Sequence, residues 1–513
     1  MLLLVTKVIG FVLVALVIVS SVFPTSTWFT DSLTFPKWLC TWVSVILLLA
    51  VGSLFRFFRI PVPFLCTKGF SISVTISCAL ESLLFMAQQL SMVSKSGLAT
   101  TGSFDNAAGF ASCLALSLPL GVSEIKKHRP VIKWMMIVGK ALCVMGVVCS
   151  GSRVGILCLL AMGLIYLKVK GKWLLSALCV ALLVMVIGFK RHSSTGRWFI
   201  YERSIEMMAS KPLTGWGYKG FESHYMQVQA EYFRQHDSSV YATLADNVHH
   251  PLSEYLLVGV NHGVFAFLVS LVLTGILLWR LSRDTRHRDL FAAMTVLFLL
   301  CLFSYPLRYP FAWLALAVVL LNVLRSKMRL PRVGYLAMAV FTLVLQIPVH
   351  AVYQTERTWA VLADKAQYGL YKTTLPGYQK LMGRKGNDPR FLYNYAAVLC
   401  EAGNLKLAQD IIFKCYRSFK DYEVCLLAAN IHAESGNITD AERYYTEAHR
   451  MVPSRIMPIY GLFRLYQREG LQLKAMQVGK AIVRLKVKVP SLKAKEIKEK
   501  VLFDLNHKGI SHD

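Results

Sequence analysis

Two histidines and four arginines stand in settings that suit acid–base and anion-binding chemistry. His249 and His250 open the segment His249-His250-Pro251-Leu252-Ser253-Glu254-Tyr255-Leu256. Imidazole is the usual general base near neutral pH, and a carboxylate such as Glu254 would orient it. Arg153 lies in Ser150-Gly151-Ser152-Arg153-Val154-Gly155, where small neighbours leave room for a ligand's head group. Arg197 begins Gly196-Arg197-Trp198, and Arg203 follows six residues later. A guanidinium forks onto phosphate oxygens through two parallel hydrogen bonds, so a pair of fixed arginines suits a pyrophosphate. On one helix the two would not share a face, and Glu202 and Glu206 offer Arg203 a plain salt bridge. Arg308, in Tyr305-Pro306-Leu307-Arg308-Tyr309-Pro310, and Ser103-Phe104-Asp105-Asn106 are further candidates for the lining of the same vestibule.

Other chemistries are absent by pattern. Pro212-Leu213-Thr214-Gly215-Trp216-Gly217-Tyr218-Lys219-Gly220 lacks the spacing of a phosphate-binding loop or a dinucleotide fingerprint, and reads as a tight turn that orders its surroundings. No Cys-x-x-Cys, Cys/His cluster or His-Glu-x-x-His occurs, so no metal and no cofactor is expected. Cys400, Cys415 and Cys425 sit at helix-like positions and read as buried thiols.

The elements that position these residues follow from composition. Of 513 residues, 55% are hydrophobic and only 17% charged. A soluble domain carries about 25% charge, so the chain reads as a polytopic membrane protein with one polar portion. Apolar stretches near 1–23, 38–55, 70–92, 107–123, 134–150, 153–167, 173–189, 254–279, 290–306, 310–325 and 333–350 give about eleven spans. The first lacks a small-residue cleavage site and reads as a retained span.

The net charge of +28 would suggest nucleic acid on a soluble protein. Here the cations gather in alternate loops: Arg56/Arg59/Lys68, Lys126/Lys127/Arg129/Lys133, Lys168/Lys170/Lys172, Arg280/Arg283/Arg286/Arg288 and Arg325/Lys327/Arg329/Arg332. The intervening short loops carry one cation each: Lys37, Lys95, Arg153 and Arg308. The positive-inside rule puts the basic set and the amino terminus in the cytoplasm. The 190–253 loop and everything after about 350 then lie outside. That loop holds five histidines and is far longer than connections usually are, which marks it as functional.

From about 351 the chain turns polar and periodic. Gly403-Asn404 with Ala408 recurs as Gly436-Asn437 with Ala441 after 33 residues, and as Gly470 with Ala475 after 34. This is the period of tetratricopeptide repeats. Small residues let paired helices cross closely, and Gly-Asn serves the turn. The expected organisation is a membrane domain over 1–350 and a repeat domain over 351–513, the latter suited to binding a protein partner.

Taken in order, Ser-Arg at a span boundary, Gly-Arg-Trp, Lys-Pro-Leu-x-Gly-x-Gly and His-Pro-x-x-Glu-Tyr-Leu resemble the bacterial O-antigen ligase superfamily. That group includes O-antigen polymerases and protein O-oligosaccharyltransferases. Gly102 to Asn106 resembles members with a tetratricopeptide tail. Leu252-Ser253 replace the family's usual His-Asn, and Asn261-His262-Gly263 its Glu-x-Gly. The resemblance implies an all-α GT-C-like fold and a metal-independent glycosyltransferase of the inner (cytoplasmic) membrane. The donor would be an undecaprenyl-pyrophosphate-linked glycan. The acceptor would be a hydroxyl of a glycolipid (lipid A-core), a protein or another repeat unit, at the periplasmic face. The resemblance assigns the pyrophosphate to Arg153 and Arg197, with Arg203 as a further contact; Arg308 stays a substrate-binding candidate from its own loop. It assigns the base to His250 or His249. A transporter would need internal duplication of its spans and paired charges; Lys7, Glu81 and Lys140 are candidate buried charges, but no duplication is seen. A non-catalytic scaffold built on the repeats is a third reading.

Overall fold

The computed structural model describes residues 2–60, 67–93, 100–166, 191–236, 239–284, 287–324 and 330–508. Lys95, the basic loop 168–172, the apolar stretch near 173–189, Arg286 and the cations at 325–329 lie outside the described residues. Among the described residues every regular element is helical. Two compact units form. One comprises Met1–Phe189, Ser253–Tyr255 and Leu268–Val361; the other comprises Lys190–Leu252, Leu256–Phe267 and Leu362–Asp513. Towards the carboxyl end the units part at Val361/Leu362, and the long loop groups with the repeats.

The first unit holds α1 (Leu2–Val22), α2 (Phe35–Phe57), α3 (Thr67–Gln89), α4 (Ala107–Ser117), α5 (Pro130–Cys149) and α6 (Arg153–Tyr166). Every described apolar stretch falls on a helix, as lipid demands of a backbone that has no water to bond. Among the described residues, six helical stretches are long and apolar enough to cross a membrane, and three shorter apolar helices accompany them. Helix α4 is the centre of this unit: Gly109 to Ser117 are all buried, against α3, α5 and α6.

Three charges are drawn into this unit, and each bonds backbone groups. Lys140 is buried and donates to the carbonyls of Ser117 (2.6 Å) and Leu120 (3.0 Å), beyond the end of α4. A cation there complements the helix dipole. Lys37 donates to the carbonyls of Pro24, Leu33 and Ser103. Glu81 accepts the Ser103 N–H at 2.6 Å. Lys7, a candidate buried charge by sequence, is exposed.

The expected span at 254–279 is not one straight helix. The helical stretch α9 (Glu254–Ser282) breaks at Gly263, with φ 89° and ψ 172°. Tyr255 Oη donates to Thr274 Oγ1 at 3.0 Å. In an unbroken helix, 19 residues of separation would put them about 28 Å apart. The chain therefore folds back, and two arms lie side by side.

In the second unit, α7 (Arg191–Ser210) and α8 (Gly220–Gln235) enclose the glycine-rich turn. That turn bonds to the tip of α9. Trp216 N–H donates to Val260 O (2.8 Å), Gly217 N–H to Asn261 O (2.9 Å) and Val264 N–H to Pro212 O (2.7 Å). Asn261 Oδ1 accepts the Phe221 N–H at the start of α8. Two glycines make this approach. A Cβ on Gly215 would lie 2.4 Å from the Asn261 carbonyl carbon, and one on Gly263 would lie 2.5 Å from Leu213 O.

Downstream are α10 (Arg288–Phe303), α11 (Pro310–Leu324), α12 (Arg332–Val344), α13 (Gln346–Gln367) and α14 (Tyr371–Lys385). Three hairpins follow: α15 (Pro389–Glu401) with α16 (Leu405–Ser418), α17 (Tyr422–Glu434) with α18 (Ile438–Met451), and α19 (Ile456–Arg468) with α20 (Gln472–Arg484). Helix α21 (Leu492–Lys508) closes the stack. The repeat glycines Gly403, Gly436 and Gly470 have φ of 81°, 78° and 69°, ending each first helix in a left-handed cap. Ala408, Ala441 and Ala475 are buried at the crossings, and Cys400, Cys415 and Cys425 are buried as expected. The same turn occurs once more at Gly369 (φ 79°), 34 residues before Gly403. Sequence reading missed it because Thr374 stands where the other three turns have their alanine.

The loop is tied to the repeats by polar bonds. Helix α8 packs on α18, and Gln229 Nε2 donates to Met451 O at 2.6 Å. Asp246 receives Arg455 and Lys488, each at 3.0 Å. Burial would raise the Asp246 carboxyl, but the Lys488 bond, the Asn247 N–H and the Arg455 charge outweigh it and hold it below its ordinary value.

Two tests address these ties. Gly263→Ala and Gly215→Ala each force a left-handed residue against backbone atoms, so each destabilises the fold by about 1–3 kcal/mol or more. Gly275→Ala, whose Cβ would meet nothing within 4 Å, is the neutral control; thermal unfolding in detergent ranks the three. For Asp246, a depressed folded pKa means its contribution is present above the unfolded value, about 4, and is lost as pH falls through the folded value. Asp246→Asn lowers the melting temperature at pH 7, and the gap to wild type narrows as pH drops below about 4.

Candidate active site

Arg153, Glu254 and Arg308 belong to the membrane unit; Arg197, Arg203, His249 and His250 belong to the polar unit. Arg153 is the first residue of α6 and is half-buried. Gly151, at φ 63°, turns the chain out of α5, and Ser152 Oγ accepts the Gly155 N–H to cap α6. The dipole of α6 already favours negative charge at this end, and a cation there adds to that preference.

In the 306–308 turn, Leu307 N–H donates to Glu254 Oε1 at 2.9 Å. Glu254, expected to orient a histidine, thus holds backbone of the turn that carries Arg308. Arg308 Nη2 lies 3.1 Å from Asp105 Oδ2, and Tyr309 Oη donates to Asp105 Oδ1. Asn106 Nδ2 donates to Tyr309 Oη while its Oδ1 caps α4 through Gly109 N–H. The two segments proposed as one lining are therefore joined. The 101–106 segment is itself fixed from below: Gln88 bonds both N–H and C=O of Gly102, Glu81 takes the Ser103 N–H, and Lys37 donates to its carbonyl. Sequence reading used Glu81 only as a stray buried charge, and Gln88 carried no signal.

On α7, Arg197 and Arg203 face different ways. Arg203 is bonded to Glu206 and lies over the Tyr232 ring at 4.6 Å, so its guanidinium is taken up inside the α7–α8 pair rather than displayed. Arg197 contacts the Tyr201 hydroxyl and lines a cavity of about 440 Å³ with Phe199, Leu244, Asp246, Val248 and Lys488. This cavity offers an apolar wall with two cations and one carboxylate.

The two histidines differ. His250 Nδ1 accepts the Leu252 N–H at 2.9 Å, in a turn where Leu252 itself has φ 56°. A neutral His250 then carries its proton on Nε2, which leaves no ring nitrogen ready to take another. His249 is exposed, its ring stacks on Phe419 at 5.9 Å, and its Nδ1 lies 3.8 Å from Asp421 Oδ2. Phe419 and Asp421 come from the repeat region, so no local pattern in the loop could announce them. Among the described residues no group of three His, Cys, Asp or Glu is placed to hold a metal ion.

Residues 138–271 match the family model for O-antigen ligase. No curated protein matches the chain. Among solved structures, a crystal structure of the P58(IPK) TPR domain aligns over 76% of this chain and 100% of its own, at 14% identity and a TM-score of 0.21, too low for an argument about fold. The matched segment contains Arg153, Arg197, Arg203, His249, His250 and Glu254. The chain is a multi-pass membrane protein, helical in every regular element among the described residues, whose residues 138–271 match the O-antigen ligase family model.

Proposed function

We propose that this protein transfers a glycan from an undecaprenyl-pyrophosphate carrier to an acceptor hydroxyl at the periplasmic face of the inner membrane. The observation that carries this reading is the ligase-family match over 138–271, which spans six of the seven candidate residues.

In the reaction the acceptor oxygen attacks the anomeric carbon as the carbon–oxygen bond to the pyrophosphate breaks. The bonding electrons leave with the pyrophosphate, and the hydroxyl proton passes to a histidine. Negative charge therefore grows on the leaving group. Fixed guanidinium groups stabilise it without reorganising, which is often the largest catalytic effect. Arg153, where the α6 dipole adds to its charge, and Arg197, at the wall of an apolar-lined cavity, suit that task. Arg203 serves to hold α7 on α8. His249 suits the base, with Nε2 ready to take a proton, while His250 shapes the turn behind it. A positioned base contributes about 10²–10⁴-fold.

The buried charges favour this reading over a transporter. Lys37, Lys140 and Glu81 bond loop and helix-end backbone groups, a use that fixes loops rather than carrying a load through the spans. A protein acceptor is a second reading, supported by the helical repeats to which the loop is bonded.

The test is complementation of a deletion strain, with the lipid-linked glycan quantified and lipopolysaccharide and glycoproteins run on gels. Wild type should clear the lipid-linked glycan and restore one product class, which names the acceptor. Arg153→Ala and Arg197→Ala should each lower transfer by about 10²–10³-fold, the usual effect of losing one charge-stabilising donor. Arg203→Lys should stay active. Full complementation by both alanine variants would sink the site assignment, and unchanged glycans in the deletion strain would sink the function.

A further inference from the structure

Each helical hairpin of the repeat region begins at a cap. Asp388 and Asp421, 33 residues apart, occupy the same position in successive hairpins. Each accepts at Oδ1 the N–H two residues on, from Arg390 and Glu423. The second oxygens differ. Asp388 Oδ2 takes Lys385 at 2.7 Å. Asp421 is 2% exposed, and its Oδ2 is buried with no hydrogen-bond partner among the described residues. A buried carboxylate oxygen without a donor is costly, and the structure should supply one.

The candidate donor is His249, with Nδ1 3.8 Å away. The ring is held flat on Phe419, two residues before Asp421, so the repeat region fixes both its plane and its charged neighbour. Lys420 between them is tied down as well. Its N–H donates to Ser223 O at 3.1 Å and its Nζ to Gln227 Oε1 at 2.7 Å, both on α8. Catalytic hydrogen bonds are often long before substrate binds, and a shift of about 1 Å would close this one.

We propose that Asp421, a residue of the repeat region, is the positioning carboxylate of His249. It holds the proton on Nδ1, so that Nε2 is the basic nitrogen, and it stabilises the imidazolium formed when the acceptor hydroxyl gives up its proton. That proton later passes to the departing pyrophosphate or to water, which returns His249 to its neutral form. This inference rests on the transferase reading above. The repeats then complete the active site as well as offering a surface to partners.

The test exploits the cap. Asparagine caps a helix as well as aspartate does, so Asp421→Asn keeps the start of α17 and removes only the charge. Asp388→Asn makes the same change at the equivalent cap without a histidine beside it. Full-length variants in membranes are assayed with lipid-linked glycan extracted from the deletion strain. Asp421→Asn should lower kcat by about 10²-fold or more, as expected when a base loses its orienting partner. KM for the glycolipid should stay unchanged. His249→Ala should be at least as impaired, and Asp388→Asn should match wild type. As an activity-free readout, peptide mass spectrometry follows the rate at which diethyl pyrocarbonate modifies His249, which should change in Asp421→Asn and not in Asp388→Asn. The proposal is overturned if Asp421→Asn retains wild-type kcat, if Asp388→Asn loses as much, or if His249→Ala remains active. In each of those cases wild type still consumes the glycolipid and the transferase reading stands. If wild type consumes none, the transferase reading fails and takes this inference with it.

Discussion

The polar unit depends on one close approach of backbone to backbone. The turn at 212–217 and the break in α9 exchange three hydrogen bonds, and neither partner tolerates a side chain at the contact. A helix that stops at Gly263 leaves peptide groups without intrahelical partners, and buried ones must be satisfied elsewhere. The glycine-rich turn satisfies them, and Asn261 in return satisfies the start of α8. Once α8 is set, the rest of the loop is constrained. Gln229 reaches Met451 O, Ser223 and Gln227 take Lys420, and Asp246 gathers Arg455 and Lys488. His249 stands beside Asp421 as the outcome of these contacts.

The membrane unit solves a related problem with charge. Irregular segments next to apolar helices expose carbonyls and N–H groups that water does not reach. Ser103 is the clearest case: Glu81 takes its N–H, Lys37 its carbonyl, and its hydroxyl donates to Val22 O. Two opposite charges are buried in this way to hold a single residue of backbone. What they fix is the approach of Asp105 and Asn106 to Tyr309, and through them the setting of Arg308. Buried charges add little stability on their own, but they can specify one arrangement where several would otherwise compete.

Much of this was legible in the sequence, and the reasons are local. Apolar runs of about 20 residues announce helices because only helices satisfy their own backbone in lipid. The Gly-Asn turns and buried alanines repeat because the same crossing repeats, and Gly369 escaped notice when its neighbours diverged. The turn at 212–217 was recognisable as a turn, but its partner was not, since a contact with residues 260–264 leaves no mark on either segment alone. The reversal in α9 was hidden for the same reason: Gly263 inside an apolar run is an ordinary residue unless something occupies the space where its Cβ would be. Arg153 and Arg197 could be picked out by residue type and place. Arg203 looked equivalent until the Tyr232 ring and Glu206 were found around it. Glu254 is near His250 in sequence, yet its carboxylate holds the turn before Arg308. Asp421, far along the chain, is the carboxylate beside His249.

That last pairing bears on why a segment matching the ligase family should be joined to helical repeats. A histidine on a long loop has many orientations open to it, and a base is effective only in one. Building the loop into the spans would fix it, but irregular backbone in the bilayer is hard to satisfy. Helical hairpins offer a rigid polar surface whose caps place carboxylates at regular intervals. Asp388 shows the ordinary use of such a cap, closed off by its own lysine. At Asp421 the lysine is absent, Phe419 supplies a flat surface for the ring, and the second oxygen is left for a loop residue. A capping residue already required for folding thus takes on a second task through the change of one neighbour.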